Sequence, residues 1–294
     1  MTSERKTVDF LLEKYPCETF RKDNKFHKTK NDLTIVQSPY PPTLMTTRYS
    51  GIVLDTQTNQ VLAMGVSSPL VFLPETHPKE ISMVSIRIQN ANIGSVVHVW
   101  HHKDRWNVST KKHVDAKFVN WHNLNLGEKC LTSLDFEKMN TNYCYTVFIP
   151  DYLVQDTVPL MHVGTVDMVT FDPVSLEDHQ IGLKLPKWFY FRTWDELNEY
   201  VEELPINSPG VLLSNIETGH QYFMRNEKFD EIDKMLGNNR DIEYRSIVLN
   251  HLGKREIAEK LFPVLIETFR EIEKPLREIQ KVVYNCYITR FIKK

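Results

Sequence analysis

An α+β fold, with antiparallel sheets followed by a small all-helical C-terminal domain, is predicted by three features of the sequence. Apolar runs of strand length follow one another with short turns between Leu33 and Phe171. A capped helix from Thr193 to about Glu203 leads into one further hairpin. From Phe229 onward the apolar residues recur at three- and four-residue spacing, the period of helices.

Val8, Leu11 and Leu12 lie at helical spacing, so Thr7 to Tyr15 is expected to be a short helix ending before Pro16. The Pro-rich stretch Ser38 to Pro42 reads as a loop into the first long strand. Strands are expected at Leu33 to Val36, Gly51 to Leu54, Val61 to Gly65, Val84 to Ile88, Val96 to Trp100, Trp106 to Thr110, Tyr143 to Ile149 and Val166 to Phe171. Glu196 stands three residues after Thr193, the spacing of a capping box, and Pro205 stops the helix. Val211 to Asn215 and Gln221 to Met224 form a hairpin around Glu217-Thr218-Gly219. In the tail, Ile232, Met235 and Leu236, then Ile257, Leu261, Leu265, Ile266 and Phe269, then Leu276, Ile279, Val282 and Val283, mark successive helices. The boundary is placed near Gly237-Asn238-Asn239, giving domains 1–237 and 238–294.

A chain of 294 residues with 25% charged residues is long enough for one large domain or two, and its formal net charge of −2 advertises no general affinity for nucleic acid. Any such surface must be a local patch. The four cysteines include no closely spaced pair, which points to reduced thiols and no zinc framework. With neither a signal-peptide core nor a run of membrane-span length, the sequence reads as that of an intracellular protein: cytoplasmic or, if viral, packaged in a virion.

His98, His101, His102, His113 and His122 cluster in sequence, but their spacing matches no metal-site pattern, and they read as ordinary surface or half-buried histidines. Trp188-Phe189-Tyr190-Phe191 and Trp194 read as a buried strand leading into the capped helix rather than a base-stacking platform.

Function is carried by the run Asn90 to Ala116. Gly94-Ser95 opens a strand, His101 to Asp104 turns it, and Trp106 to Thr110 returns it to Lys111-Lys112. Upstream stands Arg48-Tyr49-Ser50-Gly51-Ile52-Val53-Leu54-Asp55, followed by Val71-Phe72-Leu73-Pro74-Glu75; downstream stand Ser208-Pro209-Gly210-Val211-Leu212-Leu213 and Tyr222-Phe223-Met224-Arg225. In this order the segments resemble the phage and viral T4 RNA ligase 1-like family of ATP-dependent nucleotidyltransferases. The resemblance implies an RNA-ligase-like domain in which a lysine three residues before the glycine is adenylylated. In this chain that position is Ala91.

The chemistry needs a neutral lysine amine to attack the α-phosphate of ATP, and a methyl group cannot supply it. The resemblance further implies carboxylates near metal and ribose and lysines against the phosphates. Pro209 replaces the Glu before Gly210, Phe223 replaces the first lysine of the last motif, Ile93 replaces an acidic residue, and Val147 is matched to a further carboxylate. Arg48, Ser95, Lys111, Lys112 and Arg225 remain as candidates to contact RNA or phosphate, against the alternative that they are solvated surface groups. The expectation is a catalytically degenerate ligase-like protein that binds RNA or a protein partner and needs neither metal nor cofactor, with a noncovalent ATP site left open. Two alternatives stand beside it: an active ligase using a displaced lysine such as Lys79 or Lys103, and an assembly or virion component. In that family the helical C-terminal domain is implied to help select the RNA.

Overall fold

In the computed structural model, residues 6–14, 25–28, 32–37, 43–74, 81–121, 124–151, 159–236, 242–261, 263 and 266–292 are described. Helix α1 (Val8–Lys14) packs Val8 and Leu11 onto a four-stranded antiparallel sheet in the order β1 (Lys25–Lys28), β2 (Leu33–Gln37), β3 (Val53–Asp55) and β4 (Val61–Ala63). Helix α2 (Leu44–Thr47), capped by Thr43, lies between β2 and β3.

The central sheet has the order β12 (Met161–Asp167), β11 (Tyr143–Pro150), β7 (Gly94–His102), β8 (Arg105–Thr110) and is antiparallel throughout. Strand residues alternate between faces, so Trp100, Cys144 and Val166 pack toward the β1–β4 sheet while Val97, Val99, Tyr145 and Val147 pack the opposite way. The short antiparallel pair β9 (Asn120–Trp121) and β10 (Leu124–Asn125) leads into α3 (Leu126–Leu131), whose Leu126 and Cys130 close that second face and whose cap is Asn125, its Oδ1 accepting from Glu128 N at 2.9 Å.

A third sheet has the order β5 (Leu70–Val71), β14 (Gln221–Arg225), β13 (Gly210–Asn215), β6 (Ile86–Asn90). Ile86, Ile88, Val211, Leu213, Tyr222 and Met224 turn one of its faces to Leu197 and Val201 of α4 (Trp194–Glu203). Thr193 Oγ1 accepts from Glu196 N at 3.2 Å, and Glu196 Oε2 accepts from Arg192 N at 2.8 Å, one residue before the position an ideal capping box would use. The aromatic run before it is not a strand: Phe189 bridges Ile88 alone, Phe191 and Trp194 pack on the core, and Tyr190 is exposed.

Two expected strands shift for local reasons. Met83–Ser85 forms a 3₁₀ turn before β6, leaving Val84 in solvent. Asp167 Oδ1 accepts from Val169 N at 2.7 Å, a side-chain turn that ends β12 and puts Phe171 at a positive φ of 61°. The tail holds α5 (Glu227–Leu236), α6 (Ile242–His251), α7 (Arg255–Leu261) and α8 (Ile266–Tyr287). Ile232, Leu249 and Leu261 form their core, against which Ile93, Ile206 and Phe229 pack. The expected boundary at Gly237-Asn238-Asn239, like the loop Ser38 to Pro42, lies outside the described residues.

Candidate functional site

The crossover from β6 to β7 joins the third sheet to the central one through Ala91, Asn92 and Ile93. Backbone bonds fix both ends: Ala91 N donates to Gly210 O at 2.9 Å, and Asp151 N donates to Ile93 O at 2.9 Å. Gly210 faces Arg225 across the β13–β14 pair, so Ala91, just past the end of β6, lies beside Gly210 and Gly210 beside Arg225. A Cβ on Gly94 would stand 2.4 Å from both Ile149 O and the Phe148 ring, so only glycine lets β7 start this close to β11. The structure therefore brings together the segments that the sequence pointed to at residues 91–94, 209–212 and 223–225.

The side chains at the positions the resemblance pointed to are apolar. Phe223 is paired with Leu212 and Val71, and Leu212 with Gln89, making one row across four strands on the face away from α4. Pro209 is buried, and its carbonyl accepts from Asn226 N at 3.0 Å. Ile93, where an acidic residue was expected from the resemblance, packs into the helical tail. Val147 is fully buried among Val97, Val99 and Ile149. The carboxylate that β11 delivers to the crossover is instead Asp151, 5% exposed, four residues further along. Sequence matching missed it, although its place after Ile149-Pro150 at the strand end is the signal that points to it.

Of the retained cations, Arg48 and Arg225 have protein partners and Lys111 is desolvated. Arg48 Nη2 donates to Thr218 O at 2.6 Å, tying the end of α2 to the β13–β14 turn. Arg225 Nη1 bonds Asp230 Oδ2 at 2.8 Å. Ser95 is half-buried in β7 opposite Ile149, and Lys112 is exposed beyond β8. Lys111 is different: burial of its ammonium pushes its pKa down to about 8. Beside it lies His98, completely buried, with neither ring nitrogen hydrogen-bonded to another described side chain or backbone group at normal geometry. Gly51 and Gly65 make room for the pair. A Cβ on Gly65 would come 2.1 Å from His98 Nε2, and one on Gly51 would come 3.1 Å from both His98 Cε1 and Lys111 Cα. The room these glycines make leaves no sign in the sequence, and His98, expected at the surface or half-buried, is fully buried, because both depend on how the β4 end folds over β7.

Burial, and then the charge of Lys111, hold the His98 pKa down at about 4; burial does the same for His162. Both groups bind fewer protons in the folded than in the unfolded protein between their folded values and the ordinary 6.5, so their contribution is full above that value and falls as pH drops through the window. For His98 the whole window amounts to roughly 3 kcal/mol. Urea unfolding is expected to show a steep loss of stability from pH 6.5 toward 4, and the His98 imidazole resonances should not titrate above pH 5. A His98 resonance titrating near pH 6.5 would contradict the buried, neutral assignment.

Lys103 sits at the β7–β8 turn with φ 49°, the far end of β7 from Gly94. The eight strand steps from Gly94 to His102 alone span about 26 Å, beyond the reach of a lysine side chain to the crossover. Lys79 and His122 lie outside the described residues. Among the described residues no three His, Cys, Asp or Glu side chains gather to hold a metal ion. Cys130 and Cys144 are buried, and Cys286 is exposed.

No protein-family profile and no curated protein matches the sequence. Solved structures do. An archaeal ATP-dependent RNA ligase superposes with a TM-score of 0.54 at 12% identity, covering 90% of this chain and 80% of its own. A putative ATP-dependent DNA ligase from Aquifex aeolicus superposes with a TM-score of 0.55 at 11% identity, covering 91% and 80%. The chain has the ATP-dependent-ligase nucleotidyltransferase fold. Within this ligase fold the helical segment follows the sheets, as the sequence predicts. At these identities the likeness establishes the scaffold and leaves the chemistry to be argued from the residues.

Proposed function

We propose that this protein is a catalytically degenerate RNA ligase of the T4 RNA ligase 1-like kind, which keeps the ligase scaffold to bind RNA. The observation that carries this reading is Ala91: its backbone is locked to Gly210 at the crossover between two sheets, and it presents a methyl group where the attacking amine would be required. Support comes from the neighbouring positions, each in a packing role: Phe223 between Val71 and Leu212, Pro209 at a buried turn and Ile93 against the core of the tail. On this reading domain 1–237 is the scaffold and 238–294 an accessory helical domain, the protein works inside a cell or a virion, and it needs no metal or cofactor. ATP, if held, is held without covalent chemistry. No helix among the described residues is long and apolar enough to cross a membrane.

Lys111, Lys112, Ser95, Arg48 and Arg225 are the proposed RNA contacts, with Arg225 exchanging Asp230 for phosphate. A 5′-phosphorylated RNA should bind with an affinity that falls steeply with added salt, and Lys111→Ala with Lys112→Ala should lower the salt slope by about 1 to 2. Salt-independent binding would count against RNA as the ligand.

One observation favours a second reading, an assembly component whose former cleft is a protein interface. Val71 and Leu73, at the edge of the row containing Phe223 and Leu212, are nearly half exposed, at 46% and 49%. This reading predicts negligible RNA affinity in the same titration.

A further inference from the structure

The second half of α8 stands in solvent. Pro275 cannot donate the backbone hydrogen bond that the helix would make at that position, and it separates two unlike stretches. Before it, Phe269 packs against the tail core. After it, every residue from Arg277 to Tyr287 is exposed. Ile279, Val282, Val283, Tyr284 and Tyr287 are each more than half exposed, an unusual load of large apolar groups for one solvated helix. The polar side chains of the same stretch are used along the helix: Arg277 bonds Glu273 at 2.7 Å and Lys281 bonds Glu278 at 2.9 Å. The helix is thus supported on its outer face, while no described residue covers its apolar stripe.

The stripe has a definite period. Leu276, Ile279, Val283 and Cys286 alternate three- and four-residue steps, the seam of a left-handed coiled coil. A partner for such a seam is another helix of the same period. In a parallel, in-register pair the two flanking positions also meet, since the residue just before one seam position faces the partner residue five further on. Here those are Val282 and Tyr287, both apolar and both exposed. An antiparallel arrangement would not pair them. Five exposed side chains per helix, Ile279, Val282, Val283, Cys286 and Tyr287, at about 100 Å² each, bring the area buried by two copies to about 1,000 Å², the lower bound for a specific interface.

We propose that the C-terminal half of α8 is a dimerisation helix that pairs with the same helix of a second copy as a parallel, in-register coiled coil. The pairing is independent of the ligase reading and would present two sheet domains from one end of the seam.

The full chain should sediment as a dimer at tens of micromolar. Ile279→Glu combined with Val283→Glu should weaken the association by more than about 100-fold, with an unchanged circular dichroism spectrum because both residues are already solvated. In the dimer Cys286 lies on the seam beside its own copy, so mild oxidation should give a cross-linked dimer that Cys286→Ser abolishes. A monomer at all concentrations, or a dimer indifferent to the double substitution and lacking the Cys286 cross-link, would overturn the proposal; the latter would place the interface elsewhere.

Discussion

Gly210→Ala is expected to destabilise the protein by about 3 kcal/mol or more, roughly 10 °C in Tm. Gly210 has φ +136°, a conformation that side chains other than hydrogen rarely adopt, and a Cβ there would stand 2.1 Å from Met224 O. The obstructing atom is backbone in the partner strand, so relief requires β13 and β14 to part at Arg225. Gly253 is the internal comparison, with φ +69° and nothing within 4 Å of a built Cβ. Gly253→Ala should therefore cost only about 1 kcal/mol, the backbone term alone. Thermal and urea unfolding of the two variants side by side measures the difference. If Gly210→Ala were as stable as Gly253→Ala, the start of β13 would be misplaced. The position of Ala91, fixed by its bond to Gly210 O, would fall with it.

Ala91→Lys is expected to fold and to remain unable to form a covalent adduct with AMP. The position is half-buried on a crossover whose backbone bonds do not depend on the side chain, so a lysine can be accommodated. An amine alone does not suffice, because Phe223, Pro209 and Ile93 contribute neither cation nor carboxylate to the phosphates or a metal. The route back is further obstructed by packing. Ile93→Asp would place a carboxylate against Ile232, Leu249 and Leu261, with an expected loss of about 3 kcal/mol. Adenylylation recovered by Ala91→Lys alone, read as label retained on denatured protein, would defeat the degenerate-ligase account.

Much of the fold was legible because its signals are local. The Thr193 cap, the turn residues Glu217-Thr218-Gly219 and the alternation in β7 and β13 each specify an element within a few residues. Where side chains redirect the backbone, the reading slipped: Asp167 ends β12 early, and Met83–Ser85 coils before β6. The site was legible as an order of segments, since Gly94 and Gly210 mark close backbone approaches that no other residue tolerates. Its three-dimensional content was not. That Lys111 is desolvated beside a buried His98 follows from Gly51 and Gly65 meeting β7 across the core, and that Ile93 anchors the tail follows from how helices beyond residue 226 fold back. Such long-range contacts leave no periodic trace in a single sequence. Asp151 was passed over for the same reason, because only the pairing of Pro150 with Gly94 shows that β11 ends at the crossover.

The most direct test of the central claim is incubation of the wild-type chain with α-labelled ATP and a divalent metal, followed by denaturation, beside an active RNA ligase. The account predicts no label on the folded, full-length protein while the control is labelled. Label that survives denaturation would contradict it, and its loss on changing one lysine would show which amine had replaced the one missing at Ala91.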